Sequence, residues 1–255
     1  MASRSDVGRV RQINEDRNWA GTLVNGVTVA IVADGMGGHK AGDVASQLAV
    51  NGFREAIENG AGKEGLTVEE GKMLIRQAIV KANDIVYDMA SRNEQYSNMG
   101  TTIVSALVIG DEAVIGHIGD SRVYHIDADG IVQLTDDHTL VNELVKSGQV
   151  SQEEAAHHPR RNVITRAVGT DAEIEVDVLS KALEEGDVLL LCSDGLTNMV
   201  GDDELQRIVT DDSRTLDGKA DRLIELALNA GGDDNITVVL LHHGQKAANP
   251  GGDNG

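Results

Sequence analysis

Cysteines and aromatic residues are scarce in this chain of 255 residues, and bases are outnumbered by acids. There is one cysteine, Cys192, which excludes a disulfide framework and a cysteine-based zinc finger. It sits in an apolar run and reads as a buried structural thiol. One Trp, one Phe and three Tyr leave the core to Val, Ile, Leu and Ala and provide no stacking platform for bases or sugars. Lys and Arg number 22 against 42 Asp and Glu, a net charge of −20. That balance argues against nucleic acid as the main ligand, because backbone phosphates are held by clustered bases. No stretch approaches the ~18 consecutive apolar residues of a membrane helix, and the first residues lack the apolar segment of a signal peptide. A cytoplasmic, monomeric protein with no membrane contact is expected. At this length a single fold hides roughly 70–75% of its unfolded surface, so folding by itself requires no disulfide or structural metal.

The acids occur as pairs, such as Asp111-Glu112 and Glu184-Glu185, and never as a run of five. Between them the pattern alternates strand and helix signals. The β-branched run Val27 to Ala33 reads as a buried strand. Apolar positions between Ala41 and Ile57 recur at helical spacing. Thr67 and Glu70 form a capping box ahead of a long amphipathic helix carrying Leu74, Ile75, Ala78, Ile79, Ala82 and Val86. Strands follow at Thr101 to Ile109, Ala113 to Ile118, Arg122 to Ile126 and Ile131 to Leu134; their short connections predict antiparallel neighbours. Residues 138–169 turn polar, with a short helix around Leu140 to Lys146 and a loop around Pro159, and read as an irregular, mobile insert over a sheet edge. A strand at Val188 to Cys192, helices near Glu204 to Val209 and Ala220 to Asn229, and a last strand at Ile236 to Leu241 complete the order. This order excludes a repeating βαβ layout and predicts an α+β fold of packed antiparallel sheets with helix pairs outside. Residues 1–243 form the expected domain, and 244–255, rich in Gly and Asn, a disordered tail.

Four sites place an aspartate where a strand is expected to stop: Asp34-Gly35, Asp120 in Gly119-Asp120-Ser121-Arg122, Asp194-Gly195, and Asp233-Asp234-Asn235. A lone Asp-Gly is an ordinary turn or helix cap. Four of them, if they converge, would repel one another by several kcal/mol and would be stabilised only by cations. All-oxygen ligation without a His/Cys pattern points to hard ions, Mg²⁺ or Mn²⁺.

These residues carry a resemblance. Arg11-Gln12-Ile13-Asn14-Glu15-Asp16, Ala33-Asp34-Gly35-Met36-Gly37-Gly38-His39, Gly100-Thr101-Thr102, Gly119-Asp120-Ser121-Arg122, Ser193-Asp194-Gly195-Leu196 and Asp233-Asp234-Asn235-Ile236 follow in the order seen in metal-dependent protein serine/threonine phosphatases. The chain resembles the compact bacterial form of that PPM (PP2C) family over residues of about 4 to 243. The resemblance implies a four-layer αββα sandwich with two central antiparallel sheets. It implies two core Mn²⁺ or Mg²⁺ ions, with Asp34 bridging them, the Gly35 carbonyl on one, and Asp194 and Asp234 on the other. Asp120 with Asp194 resembles the ligands of a third, weaker ion. Glu15 and Asp16 resemble carboxylates that act through water, Arg11 the phosphate-binding arginine, and His39 the general acid. The implied activity is hydrolysis of phosphoserine and phosphothreonine in proteins, opposite Hanks-type serine/threonine kinases. Two ions lower the pKa of a shared water and neutralise phosphoryl oxygens; no covalent intermediate is then required, consistent with the single strand-borne Cys and the absence of a GxSxG elbow.

Other readings are weaker. A phosphate loop before a helix would end in Gly-Lys-Ser/Thr, whereas His39-Lys40 follows Gly38. No 12-residue calcium loop occurs. His157-His158 and His242-His243 read as surface loop and strand end, and Arg160-Arg161 as either a greeting for phosphorylated substrate or a solvated pair. The rival functions are a phosphatase dedicated to one regulatory partner, of the anti-sigma-factor antagonist type, and an inactive binding module of the same fold. The flap-like insert weighs against the first, and the intact Asp34, Asp120, Asp194 and Asp234 against the second.

Overall fold

Period-two burial in the apolar strands sets the layering. In a computed structural model describing residues 1–37, 41–62 and 65–244, strand β3 (Thr28–Met36) turns Val29, Ile31 and Ala33 toward helices α1 (Ala41–Gly60) and α2 (Val68–Arg92). Its alternate residues Ala30 and Val32 face inward, against Leu189 and Leu191 of β10 (Val188–Cys192) and Val239 and Leu241 of β11 (Ile236–His242). The other faces of β10 and β11, with Leu190, Cys192, Val238 and Leu240, pack on helices α6 (Asp202–Val209) and α7 (Leu216–Asn229). The result is the expected αββα sandwich, with an aliphatic core in each of its three interlayer spaces. Among the described residues no helix is long and apolar enough to cross a membrane.

One sheet has the order β1 (Ala2–Asp6), β11, β10, β7 (Arg122–Ile126), β8 (Ile131–Gln133). The other runs β2 (Asp16–Thr22), β3, β5 (Ile103–Ile109), β6 (Glu112–Ile118), β9 (Asp177–Ala182), with β4 (Gly100–Thr101) added against the end of β3. All pairings of these strands are antiparallel. The expected Thr67 capping box is present, with Thr67 and Glu70 bonded reciprocally, an arrangement worth about 1 kcal/mol.

Three sequence expectations need correction. β6 and β7 are joined by only three residues yet do not pair: the link crosses from one sheet to the other. Gly119 makes the crossing with φ +109°, and a Cβ there would lie 2.6 Å from Thr102 Cβ. The strand expected from Thr101 to Ile109 is interrupted at Thr102, whose hydroxyl takes the Asp34 N–H at 3.1 Å instead of continuing one ladder. The insert holds a second short helix, α4 (Gln152–Ala156), after α3 (Leu140–Lys146); Ser151 and Glu154 cap it. From residue 245 the expected tail lies outside the described residues, as does His39.

Candidate metal centre

The two sheets bring their loop ends together at one edge of the sandwich. There a small cavity of about 250 Å³ is lined by Arg11, Glu15, Asp34, Gly35, Asp120, Asp194 and Asp234, among others. A larger cavity, about 750 Å³, opens elsewhere, between the starts of β3 and β10 and the end of β11, and holds none of these residues. The carboxylates read from the sequence gather in the smaller one.

Each carboxylate has a separate anchor. β3 continues two residues past Asp34 to pair with β4, so Asp34 lies within a strand rather than at its end. Its N–H is held by Thr102 and its carbonyl accepts from Thr101 Oγ1 at 2.8 Å and Thr102 N at 2.9 Å. Gly35 allows the chain to pass close behind: a Cβ there would sit 2.0 Å from the Gly42 carbonyl oxygen. Asp16 opens β2 directly across the ladder from Asp34 and is fully buried, one oxygen accepting from Ser193 Oγ at 2.7 Å. Asp120 occupies the sheet-to-sheet crossing. Asp194 begins the short helix α5 (Asp194–Thr197) after β10 and accepts from Asn198 at 3.0 Å. Asp234 precedes β11 and pairs with Arg11 Nη2 at 2.7 Å.

The electrostatics follow from that crowding. Burial first, then the Asp16, Asp194, Asp120 and Asp234 carboxylates, push Asp34 well above the ordinary carboxylate range. Burial and neighbouring acids raise Asp16 to about 6 and Asp120 to about 7, and lift Asp194 as well. Glu15 is raised chiefly by burial, against the pull of Arg11. Two buried oxygens, Glu15 Oε1 and Asp16 Oδ1, have no hydrogen-bond partner among the described residues. Among the described residues Arg11 is the only cationic side chain in the lining. An all-oxygen site crowded with acceptors, short of donors and carrying orphaned carboxylate oxygens fits hard divalent cations.

Thus every site residue read from the sequence, His39 aside, lines this cavity or, for Asp16, lies beneath it. The sequence reading missed the supports. Asn235 donates to the carbonyls of Val7 and Ile13 at 2.9 and 3.0 Å and accepts the Glu15 N–H at 2.8 Å, pinning the Arg11 loop. Its place in the Asp-Asp-Asn motif was the available signal. Asn162 and Ile164 of the insert also line the cavity, whereas Arg160 and Arg161 are exposed outside it. No sequence pattern marked these two. Cys192 is buried at the end of β10, and burial pushes its thiol up to about 12, far from a nucleophile.

A four-layer sandwich with an acidic cavity at one edge defines a protein phosphatase of the 2C type. The chain belongs to that family: the family model for protein phosphatase 2C matches residues 8–228. It is 42% identical over 238 residues to the serine/threonine phosphatase stp of Listeria monocytogenes, covering 93% of each chain. Its fold matches a serine/threonine phosphatase of S. agalactiae with a TM-score of 0.88 at 38% identity, covering 95% of this chain and 98% of that one. The catalytic domain of the serine/threonine protein phosphatase PstP, solved in complex with two manganese ions, matches with a TM-score of 0.81 at 35% identity, covering 94% and 95%.

Proposed function

We propose that the chain hydrolyses phosphoserine and phosphothreonine in cytoplasmic proteins, opposing a serine/threonine kinase, with Mn²⁺ or Mg²⁺ as its cofactor. The convergence of Asp34, Asp120, Asp194 and Asp234 in one cavity, above two orphaned carboxylate oxygens, carries the reading. Asp34, the Gly35 carbonyl, Asp194 and Asp234 would hold the core pair of ions; Asp120 with Asp194 would hold a weaker third, and Glu15 and Asp16 would reach them through water. Bound there, such ions supply an activated water at neutral pH and charge neutralisation for the phosphoryl group. Arg11, half exposed at the rim, offers a planar fork that orients phosphate oxygens bidentately. Burial of the Asp16 and Asp120 carboxyl groups keeps the acidic floor preorganised. His39 is retained as the candidate general acid on the resemblance alone. An inactive binding module of the same fold would have no use for four converging acids. Turnover of a phosphothreonine peptide, measured with Mn²⁺ and then with EDTA, tests the reading. Hydrolysis that EDTA abolishes and Mn²⁺ restores is expected, and hydrolysis indifferent to EDTA would overturn it.

A further inference from the structure

Outside the acidic cavity a buried polar cluster joins the sheet-to-sheet crossing to the insert. His138 stands at its centre, only 6% exposed. Its backbone N–H donates to the Gly119 carbonyl at 2.9 Å, and the Gly119 N–H donates back to its ring Nδ1 at 3.0 Å. An amide can only donate, so the Gly119 contact is a hydrogen bond only in the tautomer with Nδ1 as the acceptor and the ring proton on Nε2. Nε2–H then donates to Asp177 Oδ2 at 3.1 Å, on the strand β9. Asp177 is held in turn by Arg166 Nη2 at 2.8 Å. Arg166 Nη1, also a donor, lies 2.8 Å from the same ring nitrogen, so the Nε2–H tautomer satisfies Gly119 and Asp177 at the cost of that contact, whereas the Nδ1–H tautomer would satisfy Arg166 alone. The His117 ring stacks on His138 with centroids 4.4 Å apart. Stacked, nearly parallel rings aim their in-plane lone pairs past each other, and a guanidinium occupies the same space. The cluster of His117, His138 and Asp177 is therefore no cation site, despite its metal-like composition.

The backbone of His138 also grips the far end of the insert: the Thr165 N–H donates to its carbonyl at 2.8 Å, and Leu140 N to the Val163 carbonyl at 2.9 Å. The segment so held carries Asn162 and Ile164, which line the acidic cavity. On the other side, Gly119 immediately precedes Asp120 and has a left-handed backbone that fixes nothing by itself. We propose that His138 is a positioning residue: through Nδ1 it locks the Gly119–Asp120 crossing to both feet of the 138–169 insert, so that Asp120 and the Asn162–Ile164 wall keep one geometry. The effect on turnover rests on the phosphatase reading above; the lock itself does not.

Two isosteric substitutions separate positioning from simple support. Asn places its carbonyl oxygen near the position of Nδ1, so His138→Asn keeps an acceptor for Gly119 and gives up Asp177. Gln reaches the position of Nε2, so His138→Gln keeps Asp177 and leaves the buried Gly119 amide without an acceptor. With Mn²⁺ and a phosphothreonine peptide, His138→Gln is expected to lose about ten-fold or more in kcat with KM within about two-fold, while His138→Asn keeps at least about a third of kcat. Amide exchange at Gly119 is expected to quicken in the Gln variant only. A Gln variant as active as, or more active than, the Asn variant would show that the Asp177 contact is what matters and would overturn the proposal. Should either variant fail to fold, the wild-type protein with Mg²⁺ gives the answer: ¹⁵N spectra are expected to show the Nε2–H tautomer with Nδ1 coupled across a hydrogen bond to Gly119. An Nδ1–H tautomer would overturn the lock. A wild-type protein without phosphatase activity would remove the phosphatase reading and leave the exchange and tautomer results to decide the lock.

Discussion

Among the described residues Arg11 is the one cation lining the acidic cavity, and its contact with Asp234 at 2.7 Å is half exposed, so the ion pair itself contributes little to stability. Its proposed use is to bind the substrate phosphate. Arg11→Ala is expected to raise KM for a phosphopeptide about ten-fold with a smaller change in kcat, the scale of one charge-assisted contact, and Arg11→Lys to recover only part, since lysine lacks the fork. Steady-state kinetics of the two variants check this; wild-type kinetics in both would make Arg11 an ordinary surface residue. The site's acids were legible because each is bound into a short, ordered motif: Asp34-Gly35, Gly119-Asp120-Ser121, Asp194-Gly195 and Asp234-Asn235. Their supports were less so. Thr102 and Ser193 lie inside the sequence motifs and His138 outside them, but for all three the supporting role, toward Asp34, Asp16 and Gly119, becomes visible only through contacts across 19 to 177 positions.

Among the elements, the apolar strands β3, β5, β6, β10 and β11 and helices α1, α2, α6 and α7 follow from periodicity, because each buries side chains on at least one regular face. The edge strands β1, β2 and β9 escaped it. Sequences such as Ala-Ser-Arg-Ser-Asp in β1 lack an apolar alternation; the neighbouring β11 ladder makes that segment a strand. The β6–β7 link misled for a different reason: three residues are a hairpin length, but Gly119 turns the chain into the opposite sheet and thereby delivers Asp120 to the site. The insert between β8 and β9 is tied down at the Thr139–Ile164 bridge and presents Asn162 and Ile164 to the cavity, while α4 and the loop after it stand away from it. Shortening the loop around Ala155 to Arg161 is therefore expected to reduce turnover of a phosphoprotein far more than that of para-nitrophenyl phosphate, which needs only the cavity. Equal losses on both substrates would assign the loop to support of the site.

Across the whole molecule the −20 charge is spread over scattered acids, and at one place buried acids face each other. Asp16 and Asp120 ionise near pH 6 and 7 in the folded chain, against roughly 3.9 in an unfolded one. The folded state thus binds more protons between those values; the stabilising contribution of these groups is complete below about pH 4 and lost as pH rises through about 7. Burial holds His117 and His138 below their ordinary pKa, which acts in the opposite sense below about pH 6.5, so the informative quantity is the difference between Tm with Mn²⁺ and Tm in EDTA. That difference is expected to grow from about pH 5 to about pH 8, as protons give way to cations in the cluster; a difference that is flat or shrinks over this range would count against cation binding by these acids. The most direct test of the central claim, that this cluster is a divalent cation site, is calorimetric titration of Mn²⁺ into the wild-type protein and into Asp194→Asn, with circular dichroism confirming the fold of each. The expected result is about two tightly held ions in the wild type and loss of at least one in the variant, together with loss of turnover; equal stoichiometry and affinity in the two proteins would contradict it.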